Sequence, residues 1–268
     1  MGRVEVNGID LHYLEDGSGP PVVLVNGTGG NARTWQLHQV PALVGAGYRT
    51  VAIDNRGMPA TDCGDAPFTI DDMADDVLAV VDALDLAPCR LVGFSLGSQV
   101  VLRALSRADG RVDRAVLMGV RSRRDTFGAA VAAAELDIHD AGVAVPPSYR
   151  AMVKALMYLS PATLAHPRKA RDWLQIFTLY GSPQGPALRH QLACNVDDAP
   201  PIDHSSITVP TMVLSFTDDR ITPAALGKEL AELLPRGEYQ EIADAGHYGH
   251  LERPAEVNEA ILRYLKSP

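Results

Sequence analysis

The chain has 268 residues, 24 of them basic and 33 acidic, so its formal charge is −9. At about 150 residues per domain this allows one large domain or two small ones, with ample chain for a core that needs no disulfide or metal staple. The acidic balance argues against a nucleic-acid or anionic-membrane partner, because either would call for a basic surface. Apolar residues at 46% and charged residues at 21% are those of an ordinary globular protein. Cys63, Cys89 and Cys194 are odd in number and unpatterned in spacing, which predicts a reducing compartment and no structural zinc. The opening Met1-Gly2-Arg3-Val4-Glu5 has no apolar secretory core, and no apolar run is long enough to span a membrane. The expectation is a soluble, cytoplasmic protein.

In chain order, Val4–Val6 and Ile9–Glu15 flank Asn7-Gly8 and predict a β-hairpin, since Asn-Gly supplies the positive φ angles of a tight turn. Apolar strands are predicted at Val22–Val25, Tyr48–Ile53, Arg90–Phe94, Val112–Val120, Val209–Phe216 and Glu238–Ile242. Between them, Thr69-Ile70-Asp71-Asp72 forms a capping box ahead of Met73, Val77, Val80, Val81 and Leu84 at helical spacing. Ser95–Arg107, Pro223–Leu234 and Pro254–Leu265 are further helices. The acidic cluster Asp71, Asp72, Asp75 and Asp76 reads as a solvated helix face rather than a metal site. Strands alternating with helices predict an α/β fold with a mostly parallel central sheet flanked by helices.

From Arg121 to Ser206 the rhythm breaks: helical runs are separated by Pro146-Pro147, Pro161, Gly181 and Pro183, with no convincing strand. Its opening, Arg121-Ser122-Arg123-Arg124, reads as a solvated linker. Met152, Met157, Tyr158, Trp173, Phe177 and Tyr180 give the segment a Met/aromatic character suited mostly to packing between its helices, with a minority expected to line a moderately apolar pocket.

The strongest chemical signal is Gly93-Phe94-Ser95-Leu96-Gly97 between a predicted strand and a predicted helix. G-x-S-x-G in that context is a nucleophile elbow, which exposes a serine hydroxyl beside the free N–H groups of a helix start. A serine needs a base, and the base an orienting acid. His247 follows the last strand, with His250 as its rival, and Asp218 and Asp219 follow the strand before it. The remaining histidines have surface or packing contexts, and no metal-ligand spacing occurs. Asn26-Gly27-Thr28-Gly29-Gly30 could aim a backbone N–H at an oxyanion, with the Leu96 N–H as second donor. The same loop, through Gly27-Thr28-Gly29-Gly30-Asn31-Ala32, fits G-x-G-x-x-A, with Asp54 at the end of the next strand as in a dinucleotide-binding unit. That second hypothesis, a nicotinamide-dependent reductase, leaves Ser95, Asp219 and His247 as coincidence. It also lacks the usual tyrosine and lysine four residues apart: Tyr149 and Lys154 are five apart.

On these residues the chain resembles the α/β-hydrolase fold family over nearly its whole length. The order Ser95, Asp219, His247 matches the family's nucleophile, acid and histidine. Asp219-Arg220-Ile221-Thr222-Pro223 resembles its acid followed by Arg-x-x-Pro, which favours Asp219 over Asp218. Gly246-His247 followed by Glu252-Arg253-Pro254 favours His247 over His250, and Asp54-Asn55-Arg56-Gly57 resembles its D-x-R-G turn. Asn26 stands where the family usually has histidine, and Met58-Pro59-Ala60-Thr61 replaces the usual glycine and serine after that turn. The resemblance implies a hydrolase core over residues 1–120 and 207–268 and a helical cap over residues 121–206. It implies a catalytic triad of Ser95, Asp219 and His247, and an oxyanion hole from the Thr28 and Leu96 N–H groups. No cofactor and no metal are expected. The expected partner is a small acyl substrate, free or linked to a carrier or coenzyme A. Serine in place of aspartate points away from epoxide and haloalkane hydrolysis and toward an ester, with thioester, lactone or carbon–carbon bonds as alternatives. Binding proteins of the same fold are a third class.

Overall fold

A computed structural model of the chain describes residues 1–179, 186–196 and 199–266. Eight strands form one sheet: β1 (Gly2–Val6), β2 (Ile9–Gly17), β3 (Pro21–Val25), β4 (Arg49–Ile53), β5 (Cys89–Phe94), β6 (Val112–Met118), β7 (Thr211–Phe216) and β8 (Gly237–Ile242). Their order is β1-β2-β4-β3-β5-β6-β7-β8. β2 runs antiparallel to both β1 and β4, and the remaining pairs are parallel. The expected α/β fold is therefore the observed one. The Asn7-Gly8 turn joins β1 and β2 with both residues at positive φ, 47° and 74°.

The central strands β3 to β7 are mostly apolar and buried because helices cover both faces of the sheet. Side chains alternate along each strand, so Val23 and Val25 enter one core while Val22 and Leu24 enter the other. The first core lies under α2 (Ile70–Ala83), α3 (Leu96–Leu105) and α9 (Ala224–Leu233). The second lies under α1 (Gln39–Gly45) and α11 (Pro254–Lys266), where Trp35 of a 3₁₀ turn is completely buried. α1 has no counterpart among the predicted elements, since it is short and carries Pro41 in its first turn.

Thr69 caps α2 reciprocally with Asp72, as expected. On the acidic face of α2, read as solvated, Asp71, Asp72 and Asp75 do reach solvent, and Asp76 alone departs from that reading. Asp76 is buried and takes both Arg56 Nε and Nη2, at 2.5 and 2.6 Å, while Asp71 and Asp75 pair with Arg103 and Arg107. The turn after β4 and the end of α3 bring these arginines to α2, which helical spacing alone cannot show.

Between β6 and β7 the described residues form α4 (Thr126–Asp140), α5 (Pro147–Tyr158), α6 (Pro161–Ala165), α7 (Pro167–Leu179) and α8 (Pro186–Val196), and no strand. Pro147, Pro161 and Pro167 open α5, α6 and α7, where the missing N–H costs nothing. Gly181, Pro183 and Tyr180 lie outside the described residues. Among the described residues no helix is long and apolar enough to cross a membrane.

Candidate active site

The parallel strands all point their carboxyl ends to one edge of the sheet, where such folds gather ligand-binding loops. β3 delivers Asn26–Gly30, β5 delivers Ser95, β6 delivers Gly119–Arg121 and β7 delivers Asp218–Thr222. The turn after β8 delivers His247, and α10 (Gly249–Glu252) follows it.

Ser95 occupies φ 53°, ψ −120°, a conformation that costs a side-chain-bearing residue on the order of 1–3 kcal/mol. Its surroundings hold it there. The Met118 carbonyl at the end of β6 accepts from both the Ser95 N–H at 2.9 Å and the Ser98 hydroxyl at 2.8 Å. Gly97 is required two residues later, because a Cβ there would lie 2.2 Å from the Val25 carbonyl oxygen. The elbow is thus pressed against β3, which carries the glycine-rich loop.

His247 and Ser95 are 3.0 Å apart between Nε2 and Oγ, and His247 Nδ1 is 2.8 Å from Asp219 Oδ2. The carboxylate can only accept, so Nδ1 carries the proton and Nε2 accepts from the serine hydroxyl. Asp219 is fixed by further donors. Its Oδ1 accepts the Ile221 and Thr222 N–H groups, both at 2.8 Å, and its Oδ2 accepts the Thr222 hydroxyl at 2.6 Å. Sequence reasoning missed Thr222, although Asp-x-x-Thr is a recurring side-chain-to-backbone turn.

The two rivals are spent elsewhere. Asp218 accepts from the Ser160 hydroxyl at 2.6 Å. His250 is buried 4.1 Å from the Phe94 ring centroid, and its pKa is pushed down to about 3 by burial, with His247 and His38 adding to the effect. The His247 turn is tied to the helical segment through Glu252, whose two oxygens accept the Gly246 N–H at 2.7 Å and the Ser160 N–H at 3.0 Å. Gly246 has no room for a side chain, because a Cβ would sit 2.6 Å from the backbone at the end of α5.

In the glycine-rich loop, Asn26 is buried and tied by polar contacts. Its Oδ1 accepts the Gly27 N–H and its Nδ2 donates to the Asn31 carbonyl, both at 2.9 Å. Thr28 and Leu96 line the same cavity as Ser95. Leu96 opens α3, so its N–H has no acceptor within the helix. Two unanticipated residues of α8 hold this loop. Gln191 accepts the Gly29 N–H at 2.9 Å and donates to the Arg56 carbonyl at 2.7 Å, and Asn195 donates to the Thr28 hydroxyl at 2.9 Å. Asp54 accepts the Ala32 N–H and pairs with His12, both at 2.7 Å, so it is committed to the loop rather than open to a ribose.

The cavity has a volume of about 840 Å³, in the range of small-molecule sites. Phe94, Val131, Trp173, Ile176 and Phe177 form its apolar wall. Tyr158 donates to Glu135 on this wall, and burial together with that carboxylate holds its pKa well above the usual range. Of the residues assigned to interhelical packing, Tyr158, Trp173 and Phe177 line the cavity as well, while Met152 faces outward.

This fold and arrangement are those of the α/β hydrolases, and the chain belongs to that family: the model of the alpha/beta hydrolase family matches residues 22–260. A protein of Mycobacterium tuberculosis provisionally named non-heme bromoperoxidase BpoC is 40% identical over 259 residues, spanning 97% of this chain and 98% of that one. Its crystal structure superposes with a TM-score of 0.89 over 95% of each chain, at 39% identity. A Variovorax paradoxus protein provisionally named carbamate hydrolase RutD is 30% identical, over 95% of this chain and 96% of its own. The enol-lactonase of Burkholderia xenovorans is similar at 25% identity and a TM-score of 0.78, covering 99% of this chain and 100% of that one.

Proposed function

We propose that the chain is a serine hydrolase that cleaves a carboxylic ester, or a related acyl bond, of a small and partly apolar substrate. The observation that carries this reading is the Ser95–His247–Asp219 chain of contacts, at 3.0 and 2.8 Å, with Ser95 at the floor of the cavity and His247 and Asp219 buried behind it. His247 takes the Ser95 proton as Oγ attacks the substrate carbonyl, and Asp219 stabilises the imidazolium that forms. The Thr28 and Leu96 N–H groups donate to the tetrahedral oxyanion. His247 then protonates the leaving alcohol, and the acyl group stays on Ser95. Water, deprotonated by His247, attacks the acyl-enzyme and releases the acid and the serine. No cofactor enters these steps. Residues 121–206 act as a cap, since Val131, Glu135, Trp173 and Phe177 contribute the wall facing Ser95.

The test is turnover of 4-nitrophenyl esters, lactones and acyl-thioesters, with Ser95→Ala as the control. The variant should lose at least about 10³-fold in kcat with its thermal midpoint little changed. A fluorophosphonate should label the native chain and not the variant. A variant that keeps a substantial fraction of wild-type turnover would overturn the assignment.

The name of the 40% identical relative supports a second reading. Hydrogen peroxide attacking the acyl-enzyme in place of water would release a peracid, which oxidises bromide to hypobromous acid as it becomes the carboxylate. Ser95-dependent bromination of a phenol, requiring peroxide, bromide and a carboxylic acid together, is the expected signature. Bromination that persists in Ser95→Ala would exclude this route.

A further inference from the structure

Of the basic stretch read as a solvated linker, Arg121 departs. Ser122 and Arg123 engage Glu229 and Arg124 donates to the Val196 carbonyl, whereas the Arg121 side chain is only 14% exposed and lines the catalytic cavity. It is bound into elements that carry the proposed triad. Its carbonyl accepts from Gln99 Nε2 at 2.9 Å, just over one helical turn beyond Ser95. Its Nη1 lies 3.4 Å from the carbonyl of Ile221, whose own N–H holds Asp219. α4 begins against the guanidinium with Gly128, where a Cβ would meet Nη1 at 2.2 Å.

A guanidinium has five N–H donors in a planar fork. Among the described residues, the side-chain polar contacts of Arg121 are that long hydrogen bond and a 3.9 Å approach to Asp125 Oδ2, both through Nη1. The second is beyond hydrogen-bonding distance, and Asp125 Oδ2 is itself buried without a hydrogen-bond partner. Asp125 offsets part of its charge, but Nε and Nη2 meet no protein acceptor among the described residues and are not sealed from solvent, so an anion entering the cavity can pair with them. The wider cavity leans the same way. Among the described residues, Arg33, Arg121 and Lys154 line it with the carboxylate of Glu135, and Asp125 lies behind Arg121, in a chain whose net charge is −9. Such a locally cationic cleft in an acidic protein concentrates anions.

We infer that Arg121 receives a carboxylate of the substrate, so that the preferred substrates are esters or lactones whose acyl part carries a second, ionised carboxyl group. The inference rests on the Ser95 acyl-transfer reading for the reaction, and on Arg121 alone for the anion. Low solvent exposure strengthens the attraction, and the planar fork matches a carboxylate in bidentate fashion.

Two measurements separate these claims. The first compares 4-nitrophenyl hydrogen adipate with 4-nitrophenyl hexanoate, which have the same chain length and differ in a terminal carboxylate against a methyl. Rates are corrected with Ser95→Ala. Wild type should favour the adipate ester in kcat/KM by at least about tenfold, chiefly through KM, and Arg121→Gln should erase most of that ratio. Arg121→Lys should keep part of it. A wild type that hydrolyses the hexanoate at least as well as the adipate ester overturns the inference and leaves the hydrolase reading standing. The second is calorimetric titration of Ser95→Ala with adipate dianion, which reads the site without turnover. Saturable binding, weakened at least about tenfold by adding Arg121→Gln, supports the carboxylate site even if neither ester is cleaved. Absence of binding, or binding indifferent to Arg121, overturns it. Should Arg121→Gln fail to fold, Arg121→Lys and the wild-type ester ratio still decide.

Discussion

Ser95, Asp219 and His247 stand at strand ends whose side chains alternate between two large cores, whereas among the described residues the helices facing them share a small cluster around Ala151, Ala155, Leu159 and Phe177. The surface shows the same division. Among the described residues, ten of the thirteen exposed large hydrophobic side chains lie between β6 and β7, including Phe127, Tyr149, Leu156 and Leu179. Polar fastening differs too: Asp219 accepts four hydrogen bonds, while on the opposite wall the Tyr158 hydroxyl donates to Glu135. Under the proposed acyl transfer these groups must be held to a fraction of an ångström, and the sheet edge supplies that. If the helical segment is the wall that selects substrates, as proposed, it tolerates looser support than the chemistry does.

The largest effect should come from the sheet side. Asp219→Asn replaces an acceptor by a group that can donate to Nδ1, which favours the wrong imidazole tautomer. Under the proposed acyl transfer kcat falls by about 10⁴ with the overall geometry preserved. Steady-state kinetics on an activated ester gives the number. A loss below about tenfold would mean that the tautomer of His247 is set by something other than Asp219.

A smaller effect tests how dry the sheet side is. His250 sits against Phe94 and Trp35 with its pKa near 3, while the unfolded chain has a histidine near 6.5. The folded state therefore binds fewer protons than the unfolded state between those values. Stability from this group is complete above pH 6.5 and drains away as the pH falls toward 3, at about 1.4 kcal/mol per unit. His250→Gln removes the titration. Urea unfolding at pH 7 and pH 5 should show wild type losing about 2 kcal/mol more than the variant over that interval. Equal losses would show that water reaches His250.

The comparison also explains what the amino-acid sequence discloses. The strands, the Ser95 elbow and the Asp219 and His247 turns are encoded within short windows: apolar runs, glycines at fixed offsets, and Gly-His before Glu-Arg-Pro. Choosing His247 over His250 and Asp219 over Asp218 took the family resemblance, and the packing of Phe94 on His250 and the Ser160–Asp218 bond give the physical reasons. Long-range partners left no local trace. Gln191 reaches Gly29 and Arg56 across 162 and 135 residues, and Arg56 meets Asp76 only after β4 and α2 have docked. Arg121 misled in the opposite direction. Three arginines within four residues suggest a solvated run, and only the turn after β6 sends the first of them inward.

The smallest effect belongs to the outward side of the helical wall, and it comes from adjacent positions on α5. Leu156 is 54% exposed, and its carbonyl accepts from Arg220 at 2.8 Å, a bond that survives any side-chain change. Ala155 next to it is 3% exposed, buried in the same cluster as Phe177 of α7. Leu156→Ser should alter unfolding free energy by no more than about 0.5 kcal/mol, since it removes solvated apolar surface and costs only a little helix propensity. Ala155→Leu adds three heavy atoms to a filled space and should cost about 1–3 kcal/mol. Urea titrations of the two variants measure both values. A Leu156→Ser penalty equal to that of Ala155→Leu would mean that the outward face of α5 is covered in solution. The loosely supported wall would then owe part of its stability to contacts beyond this chain, and the penalty would shrink as the protein is diluted.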